Sequence, residues 1–374
     1  MPLSFRLGAF YFAFFLYAGL YVAYFPAYLA GRGFGAAEIA WIIALPPFVR
    51  VVAPTAWGTL ADRTGWQRGI VVFSCVANTA CFALLPLMPG FGAIAWLVAG
   101  TSALAAAALP LVEVITLAAL ADRPGRYGPI RLWGSVGFVV AVLGGGAWLD
   151  VRPVDSLPWL LAVCALASVA SALSLPAGAK HPARNVVALV VSRPAQALLA
   201  AGFCMSAAHG ALYAFFTLHL QREGYSGAAI GLYWTLGVLA EIVVFLYLPV
   251  LFRRCALSTI LMASLACAVV RFLAIGWAAG LPAVLLPAQV LHAATFGAFH
   301  AASIAVVRRV FPPEAQGRGQ TLFSSVCYGA GGAVGALLAG WGWEAGGPGL
   351  AFSLSSLVAV AGLLLAYPLK RAGL

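Results

Sequence analysis

The feature that most constrains this chain is a series of apolar stretches, each long enough to cross a membrane. A helix rises about 1.5 Å per residue, so about 20 apolar residues cover the hydrocarbon layer. Only 8% of the 374 residues are charged, whereas soluble domains have about 25%. The sequence therefore predicts an all-α membrane protein. Twelve transmembrane helices are predicted, roughly at residues 5–29, 36–60, 69–88, 91–121, 129–149, 158–177, 194–220, 227–251, 257–278, 282–310, 318–342 and 348–368.

The distribution of positive charge predicts the orientation of these helices. Lys and Arg concentrate in alternate loops, which are expected to face the cytoplasm. The opposite loops contain only Arg32, Arg152 and Arg222. We therefore expect both termini in the cytoplasm and a bacterial-type inner-membrane location. The expected cytoplasmic residues are Arg6, Arg63, Arg68, Arg123, Arg126, Lys180, Arg184, Arg193, Arg253, Arg254, Arg308, Arg309, Arg318, Lys370 and Arg371.

Other functional classes are disfavoured by the pattern of charged and reactive residues. The net charge of +11 forms no basic stripe with interleaved aromatics, so nucleic acid is not an expected partner. The seven cysteines lie in or beside apolar stretches without CxxC spacing, so we interpret them as small apolar residues. The histidines lack metal-ligand spacing, and no Walker loop or nucleophile elbow occurs. We predict no cofactor, no metal and no enzyme activity.

The chain is an internal repeat of two halves with six helices each. A shift of 191 positions places Leu29 on Leu220, Gly33 on Gly224 and, within the membrane, Arg50 on Glu241. The predicted domains are residues 1–177 and 194–374, joined by a cytoplasmic linker at 178–193. Six spans return the chain to the side of the membrane on which it began, so both halves have the same orientation and are parallel repeats. This arrangement occurs in transporters with a central binding site. We interpret Gly134, Gly137, Gly329, Gly331, Gly332 and Gly335 as helix-packing residues.

The loop between the second and third helices carries a recognisable signature. It reads Gly-Thr-Leu-Ala-Asp-Arg-Thr-Gly-Trp-Gln-Arg-Gly over residues 58–69 and resembles the signature loop of the major facilitator superfamily. Gly58 would permit close helix contact, and Asp62 could accept hydrogen bonds at a helix terminus. The residues expected to form a conformational latch are Gly58, Asp62, Arg63, Gly65 and Arg68. The alternative is an ordinary positive-inside loop.

A second resemblance narrows the family. Residues 127–135, Tyr-Gly-Pro-Ile-Arg-Leu-Trp-Gly-Ser, resemble the fifth-helix entry of the lactose and nucleoside proton symporters, and Glu113 precedes Arg131 by 18 residues as in lactose permease. The second half is more similar to the 3-phenylpropionate permease group. That resemblance implies proton-coupled import of an aromatic acid. The segments that carry it are 209–210, 224–226, 236–241, 251–255, 269–271 and 291–296.

Three charged or titratable residues of the second half are predicted to couple protons. Glu241, Arg271 and His292 all lie about 15–20 Å from a predicted helix end, at one depth in the membrane. Charges at this depth are costly and therefore functional candidates. Lactose permease has a carboxylate three residues after its histidine, where this chain has Thr295, so the proton carrier must lie elsewhere. The alternative is a fixed Glu241–Arg271 pair.

Five residues are predicted to bind substrate: Arg50, Glu113, Arg131, His209 and Tyr213. Arg50 could instead pair with Glu113, and Arg131 could extend to lipid headgroups. His300 is a weaker candidate, about 80° round a regular helix from His292. We expect a monomer that binds a small molecule and protons within the lipid bilayer.

Three other functions stay open at this point. One is a proton-coupled drug or metabolite exporter, although residues 139–146 lack the Gly-Pro-x-x-Gly-Gly pattern that exporters of the superfamily carry there. Another is a sugar or nucleoside symporter. The third is an intramembrane acid–base enzyme, against which the repeat argues.

Overall fold

The computed structural model describes residues 2–177 and 191–374, and all regular structure in these ranges is helical. Before the gap the α-helices are Leu3–Gly31, Ala36–Arg50, Ala53–Thr64, Gln67–Leu84, Phe91–Ala105, Ala108–Ala119, Tyr127–Val151 and Leu157–Leu173. After the gap they are Arg193–Ala208, Gly210–Arg222, Gly227–Arg254, Leu257–Ala278, Pro282–Val290, Phe299–Val310, Gln316–Phe323, Gly332–Leu365 and Tyr367–Arg371. Two π-helical turns, Ala293–Ala298 and Ser324–Gly331, interrupt the later helices.

These helices combine into twelve membrane-length spans, which confirms the predicted fold. Eleven helical segments of the described chain are long and apolar enough to cross a membrane, and the last is 59 residues long. Its backbone leaves helical geometry at Gly346 and Gly347, so it contains two spans. We number the spans 1 to 12: 3–31, 36–64, 67–87, 91–119, 127–151, 154–173, 193–222, 227–254, 257–278, 282–310, 313–345 and 348–371.

Span 2 is broken beside Arg50. One α-helix ends at Arg50 and the next begins at Ala53, with Pro54 in its first turn. A proline has no N–H group, so Pro54 cannot bond to the carbonyl of Arg50 four residues earlier. Pro46 and Pro47 remove two further bonds within the same span. The break places a charged side chain at the C-terminal end of a helix, where the backbone dipole favours a cation.

The described residues group by their contacts into two compact units. The first contains residues 2–34, 52–177 and 226–231, and the second contains 35–51, 191–225 and 232–374. The predicted division of the sequence at 178–193 stays a prediction, and residues 178–190 lie outside the described ranges. Two short segments, 35–51 and 226–231, group with helices from the other half of the sequence.

The internal repeat is visible in the backbone at the ends of spans 1 and 7. Gly33 and Gly224, which the 191-residue shift aligns, both have φ of +83°. The N–H of Phe34 bonds to the carbonyl of Leu29 at 3.2 Å, and the next residue after Gly224 makes the equivalent bond to Leu220 at 3.0 Å. Both helices therefore end in the same left-handed glycine turn.

Two carboxylates cap the first turns of spans 2 and 8 in equivalent ways. Asp150, at the end of span 5, accepts hydrogen bonds from the N–H groups of Gly227 at 2.5 Å and Ala228 at 2.9 Å, within the first unit. Glu344, at the end of span 11, accepts one from Ala37 at 2.9 Å, within the second unit. Ala37 and Ala228 are aligned by the repeat. Each carboxylate satisfies amides that have no intrahelical partner and lies at a positive helix terminus.

We expect Asp150→Ala to destabilise the protein by about 1 kcal/mol, the usual effect of removing a helix cap. Glu344→Ala should have a smaller effect because Glu344 accepts one of these bonds rather than two. Thermal unfolding of the purified protein in detergent measures both. Asp155→Ala, at an exposed acid nearby, is the matched control, and equal melting temperatures for Asp150→Ala and this control would contradict the prediction.

Small residues allow the helix backbones to approach closely, as predicted. A Cβ added at Gly335 would overlap the backbone of Ala207, and one added at Gly137 would overlap the backbone of Phe12. Lipid provides little hydrophobic drive for helix association, so close van der Waals packing at such residues holds spans together.

Candidate functional site

Arg271 is the centre of a buried polar cluster in the second unit. It lies in span 9 with 1% of its surface exposed. Its Nε donates to the carbonyl of Ala288 at 3.0 Å, and its Nη2 donates to Oε1 of Gln289 at 3.4 Å. Its Nη1 donates to Oγ1 of Thr295 at 3.0 Å and lies 3.4 Å from Nε2 of His209. One guanidinium thus joins spans 7, 9 and 10, and all four acceptors are uncharged.

The contacts of His209 define its tautomer. Nδ1 lies 2.8 Å from the carbonyl oxygen of Met205, which can only accept, so Nδ1 carries the proton. Nε2 is then an acceptor for Arg271 and lies 3.4 Å from the hydroxyl of Thr295. A second proton on Nε2 would face the guanidinium donors, so this arrangement suits a neutral imidazole.

Glu241 pairs with His292 in this cluster. Oε2 of Glu241 lies 3.8 Å from Nε2 of His292, and both side chains are largely buried. The His292 ring stacks on Phe296, with centroids 5.3 Å apart, and lies 6.4 Å from the ring of His209. The fixed Glu241–Arg271 pair considered from the sequence is therefore not the pairing that this structure shows.

Two glycines and a π-helical turn make room for this pair. A Cβ at Gly297 would lie 3.0 Å from Cγ of Glu241, and one at Gly237 would lie 3.3 Å from the ring of His292. The π turn Ala293–Ala298 follows directly after His292. A π turn contains an extra residue, and such turns occur often at functional sites.

A small, mostly apolar cavity lies against the cluster. His209 and Thr295 contribute to its wall, so Arg271 lies one layer behind the surface that an occupant would touch. Six aromatic or sulfur-containing side chains provide most of the remaining wall. The cavity is lined by Gly202, Met205, Ser206, His209, Tyr213, Thr295, Phe296, Phe299, Phe323 and Tyr328.

Arg50 belongs to the same unit but differs from Arg271 in its surroundings. Its side chain is exposed, and it makes no hydrogen bond or ion pair with any described residue of the second unit. The phenols of Tyr213 and Tyr328 lie within electrostatic reach of its guanidinium. Arg50 therefore has donors available to a ligand, whereas the donors of Arg271 are largely used within the protein.

In the first unit, Glu113 and Arg131, both predicted to bind substrate, lie within ion-pair distance of each other. Nε of Arg131 lies 3.9 Å from Oε1 of Glu113, and both side chains are partly exposed. The Arg131 guanidinium also lies over the rings of Phe15 at 4.3 Å and Tyr11 at 5.3 Å. The ion-pair partner found for Glu113 within the first unit is thus Arg131, and the alternative pair with Arg50 stays a prediction.

We expect Arg131→Lys to weaken substrate binding if Arg131 contacts the substrate. Lysine keeps the charge but loses the planar fork and most of the stacking on Phe15 and Tyr11. Binding titrations should then show about a tenfold loss, which corresponds to about 1.4 kcal/mol. Unchanged affinity, with Arg126→Lys in the adjoining turn as control, would assign Arg131 to packing alone.

The signature loop contains a left-handed glycine that ends the second helix of span 2. Gly65 has φ of +71° and ends the helix that begins at Ala53, and Nη1 of Arg68 donates to the carbonyl of Leu175 at 3.4 Å. A Cβ at Gly58 would have nothing within 4 Å, so the expected close helix contact there is wrong. Asp62 and Arg63 are exposed, and their role in a latch stays a prediction.

Sequence reasoning did not select Gln289 or Tyr328 as site residues. Gln289 binds Arg271, and Tyr328 lines the cavity and lies 2.7 Å from Nδ1 of His300. The sequence feature that could have indicated Gln289 is its polar side chain within an apolar span, one helical turn before His292. Uncharged polar residues carry a smaller membrane penalty than charged ones, so this signal is weaker.

Comparison with known proteins decides the family. A family model described as the MFS_1 like family matches residues 4–354. The chain belongs to this family, within the major facilitator superfamily. It is therefore a multi-pass membrane transporter, as the signature loop predicted.

Two relatives with quite different names are equally similar to this chain in sequence. A probable 3-phenylpropionic acid transporter of Escherichia coli (strain K12) is 28% identical over 367 residues, with 95% of each chain covered. A maltose permease of Geobacillus stearothermophilus is 28% identical over 366 residues, and the match covers 95% of this chain and 92% of the permease. The crystal structure of the nucleoside transporter NupG has a TM-score of 0.82 at 16% identity, with 99% of both chains covered, which shows the shared fold.

Proposed function

We propose that this family member imports an aromatic carboxylate together with protons. The observation that carries this proposal is the buried Arg271, whose four acceptors are uncharged, behind a cavity lined mainly by aromatic side chains. A buried guanidinium whose hydrogen-bond acceptors are all uncharged is costly, and a positive potential at the cavity wall favours an anionic occupant. The cavity is about 40 Å³ in this structure, which is smaller than an aromatic ring needs, so it would have to widen during transport. Its aromatic wall would then suit a ring packed edge-to-face or offset-stacked on Tyr and Phe.

The proton would be carried by Glu241 and His292. Their atoms are 3.8 Å apart in a largely buried position, where a bare carboxylate would be costly. A proton on Glu241 removes that charge, and a proton on His292 strengthens the pair. A carboxyl whose partner distance changes during transport can therefore take up a proton in one conformation and release it in another.

The cavity argues against a sugar as the substrate. A polyol needs many hydrogen-bond partners, because each buried hydroxyl left without one is penalised. The cavity wall offers polar side chains at Ser206, His209, Tyr213, Thr295 and Tyr328, and three of these, His209, Thr295 and Tyr328, are already bonded within the protein. The maltose permease relative keeps this class as the second candidate, since it is as similar overall as the phenylpropionic acid relative.

Transport by purified protein in liposomes tests the proposal. With an inwardly directed proton gradient, radiolabelled 3-phenylpropionate should accumulate and an internal pH dye should report proton entry. Maltose and uridine should do neither. Accumulation of maltose or uridine, but not of phenylpropionate, would show that the substrate is a sugar or a nucleoside. Proton-driven efflux without uptake would favour an exporter.

A direct chemical control separates transport from catalysis. Phenylpropionate incubated with the protein in detergent should be recovered unchanged, because detergent removes the gradient but would leave an acid–base enzyme active. Conversion of the compound under these conditions would contradict the transporter proposal.

A further inference from the structure

Tyr328 is held in a fixed orientation at the cavity wall by two contacts. Its hydroxyl lies 2.7 Å from Nδ1 of His300 in span 10. The ring of Phe323 meets its ring edge-on, with centroids 5.8 Å apart. Tyr328 itself lies in the π-helical turn Ser324–Gly331 of span 11 and lines the cavity. A side chain fixed in this way loses little freedom when it binds a ligand.

The same π turn also holds the end of the helix that carries Arg50. The carbonyl of Val51 accepts a hydrogen bond from Oγ of Ser325 at 3.0 Å. A Cβ at Gly329 would lie 2.8 Å from the side chain of Val51 and 3.3 Å from the carbonyl of Pro47. Arg50 is the residue before Val51, so its backbone is anchored beside the turn that carries Tyr328.

Two phenols therefore share the surroundings of one exposed guanidinium. Tyr213 of span 7 and Tyr328 of span 11 both line the cavity, and both lie within electrostatic reach of Arg50. A guanidinium with two hydroxyl donors is a donor set that matches a carboxylate, which accepts about four hydrogen bonds. Arg271 offers no such set, because its bonds go to four acceptors within the protein.

We propose that Arg50, Tyr213 and Tyr328 form the subsite for the substrate's carboxylate, with His300 as a positioning residue. This inference rests on the proposed function and specifies where the anionic end binds. When the subsite is empty, the Tyr328 hydroxyl can donate to Nδ1 of His300. With a carboxylate bound, Nδ1–H of the other His300 tautomer donates to the phenol oxygen, and the phenol proton points to the carboxylate. His300 thereby sets the direction of the Tyr328 hydroxyl without touching the substrate.

The test compares a carboxylate with its neutral isostere. Affinities of 3-phenylpropionate and 3-phenylpropanamide are measured by calorimetry on purified full-length protein. Tyr328→Phe should weaken the acid about tenfold or more, the usual effect of losing a hydrogen bond to a charged group. It should weaken the amide several-fold less, because a hydrogen bond to a neutral carbonyl contributes less than one to a carboxylate. His300→Ala should lower acid affinity in the same direction but less. Tyr247→Phe, at a side chain that is 65% exposed, is the matched control.

The ratio of the two affinities distinguishes a binding role from packing. Equal losses for acid and amide in Tyr328→Phe would overturn the subsite, because packing serves both ligands. Arg50→Gln alone and with Tyr328→Phe forms a double-mutant cycle, in which additive losses would also overturn it. If the unmodified protein binds neither compound, the proposed function fails with it. If it binds the acid and the ratio is unchanged in the variants, only the subsite fails.

Discussion

Glu241→Gln is expected to abolish proton-driven accumulation of the substrate while leaving substrate exchange intact. Glutamine mimics a carboxyl that is always protonated, so the variant can still bind substrate and carry it in both directions. It cannot return empty after releasing a proton, because it has none to release. The pair with His292, 3.8 Å apart in the structure, would lose its charge. The pH dependence of substrate binding should flatten as the titrating group is removed.

Two liposome measurements separate these outcomes. Counterflow, in which external label exchanges with unlabelled internal substrate, should stay within a few fold of the unmodified protein. Uptake driven by an imposed proton gradient should fall to the level of empty liposomes. Glu314→Gln, at an exposed acid in the first turn of span 11, provides the control. If Glu241→Gln still accumulates substrate in response to the gradient, Glu241 is not the proton carrier, and the role would be assigned to Glu113 or His292.

Arg271→Lys is expected to reduce both stability and substrate affinity, although it preserves the charge. The guanidinium reaches four acceptors on spans 7 and 10 at 3.0–3.4 Å. An ammonium has three donors around a single atom and cannot reproduce this fork. At least one buried acceptor would then lose its partner, which costs about 1–3 kcal/mol. His209 and Thr295 would lose their common donor, so the cavity wall would change with them.

Thermal unfolding and binding titrations measure these two effects. Arg253→Lys, at an exposed arginine at the end of span 8, controls for the substitution itself. A melting temperature equal to that of the control would show that Arg271 does not hold these spans together. Reduced stability with unchanged substrate affinity would show that Arg271 stabilises the fold but does not contribute to substrate binding.

The sequence by itself determined the fold and the family. Apolar length, charge in alternate loops and the 191-residue repeat are properties of the chain that need no knowledge of side-chain contacts. The membrane enforces them, because every backbone polar group must be satisfied within a helix and every charge must be excluded or paired. The equal φ of Gly33 and Gly224 shows how closely the repeat is reflected in the backbone. The sequence also selected Glu241, Arg271 and His292 as one group.

Only the tertiary structure decided which of these side chains meet. Equal depth in the membrane leaves the rotation of each helix open, and rotation determines whether Glu241 meets Arg271 or His292. The π turn Ala293–Ala298 adds a residue within span 10, so a regular helix does not describe the angle between His292 and His300. The break after Arg50 depends on prolines whose effect on the side chain cannot be derived from spacing. Tyr328 lies at the cavity because a second π turn and a contact with His300 fix its position. Both the turn and the contact depend on how the helices pack.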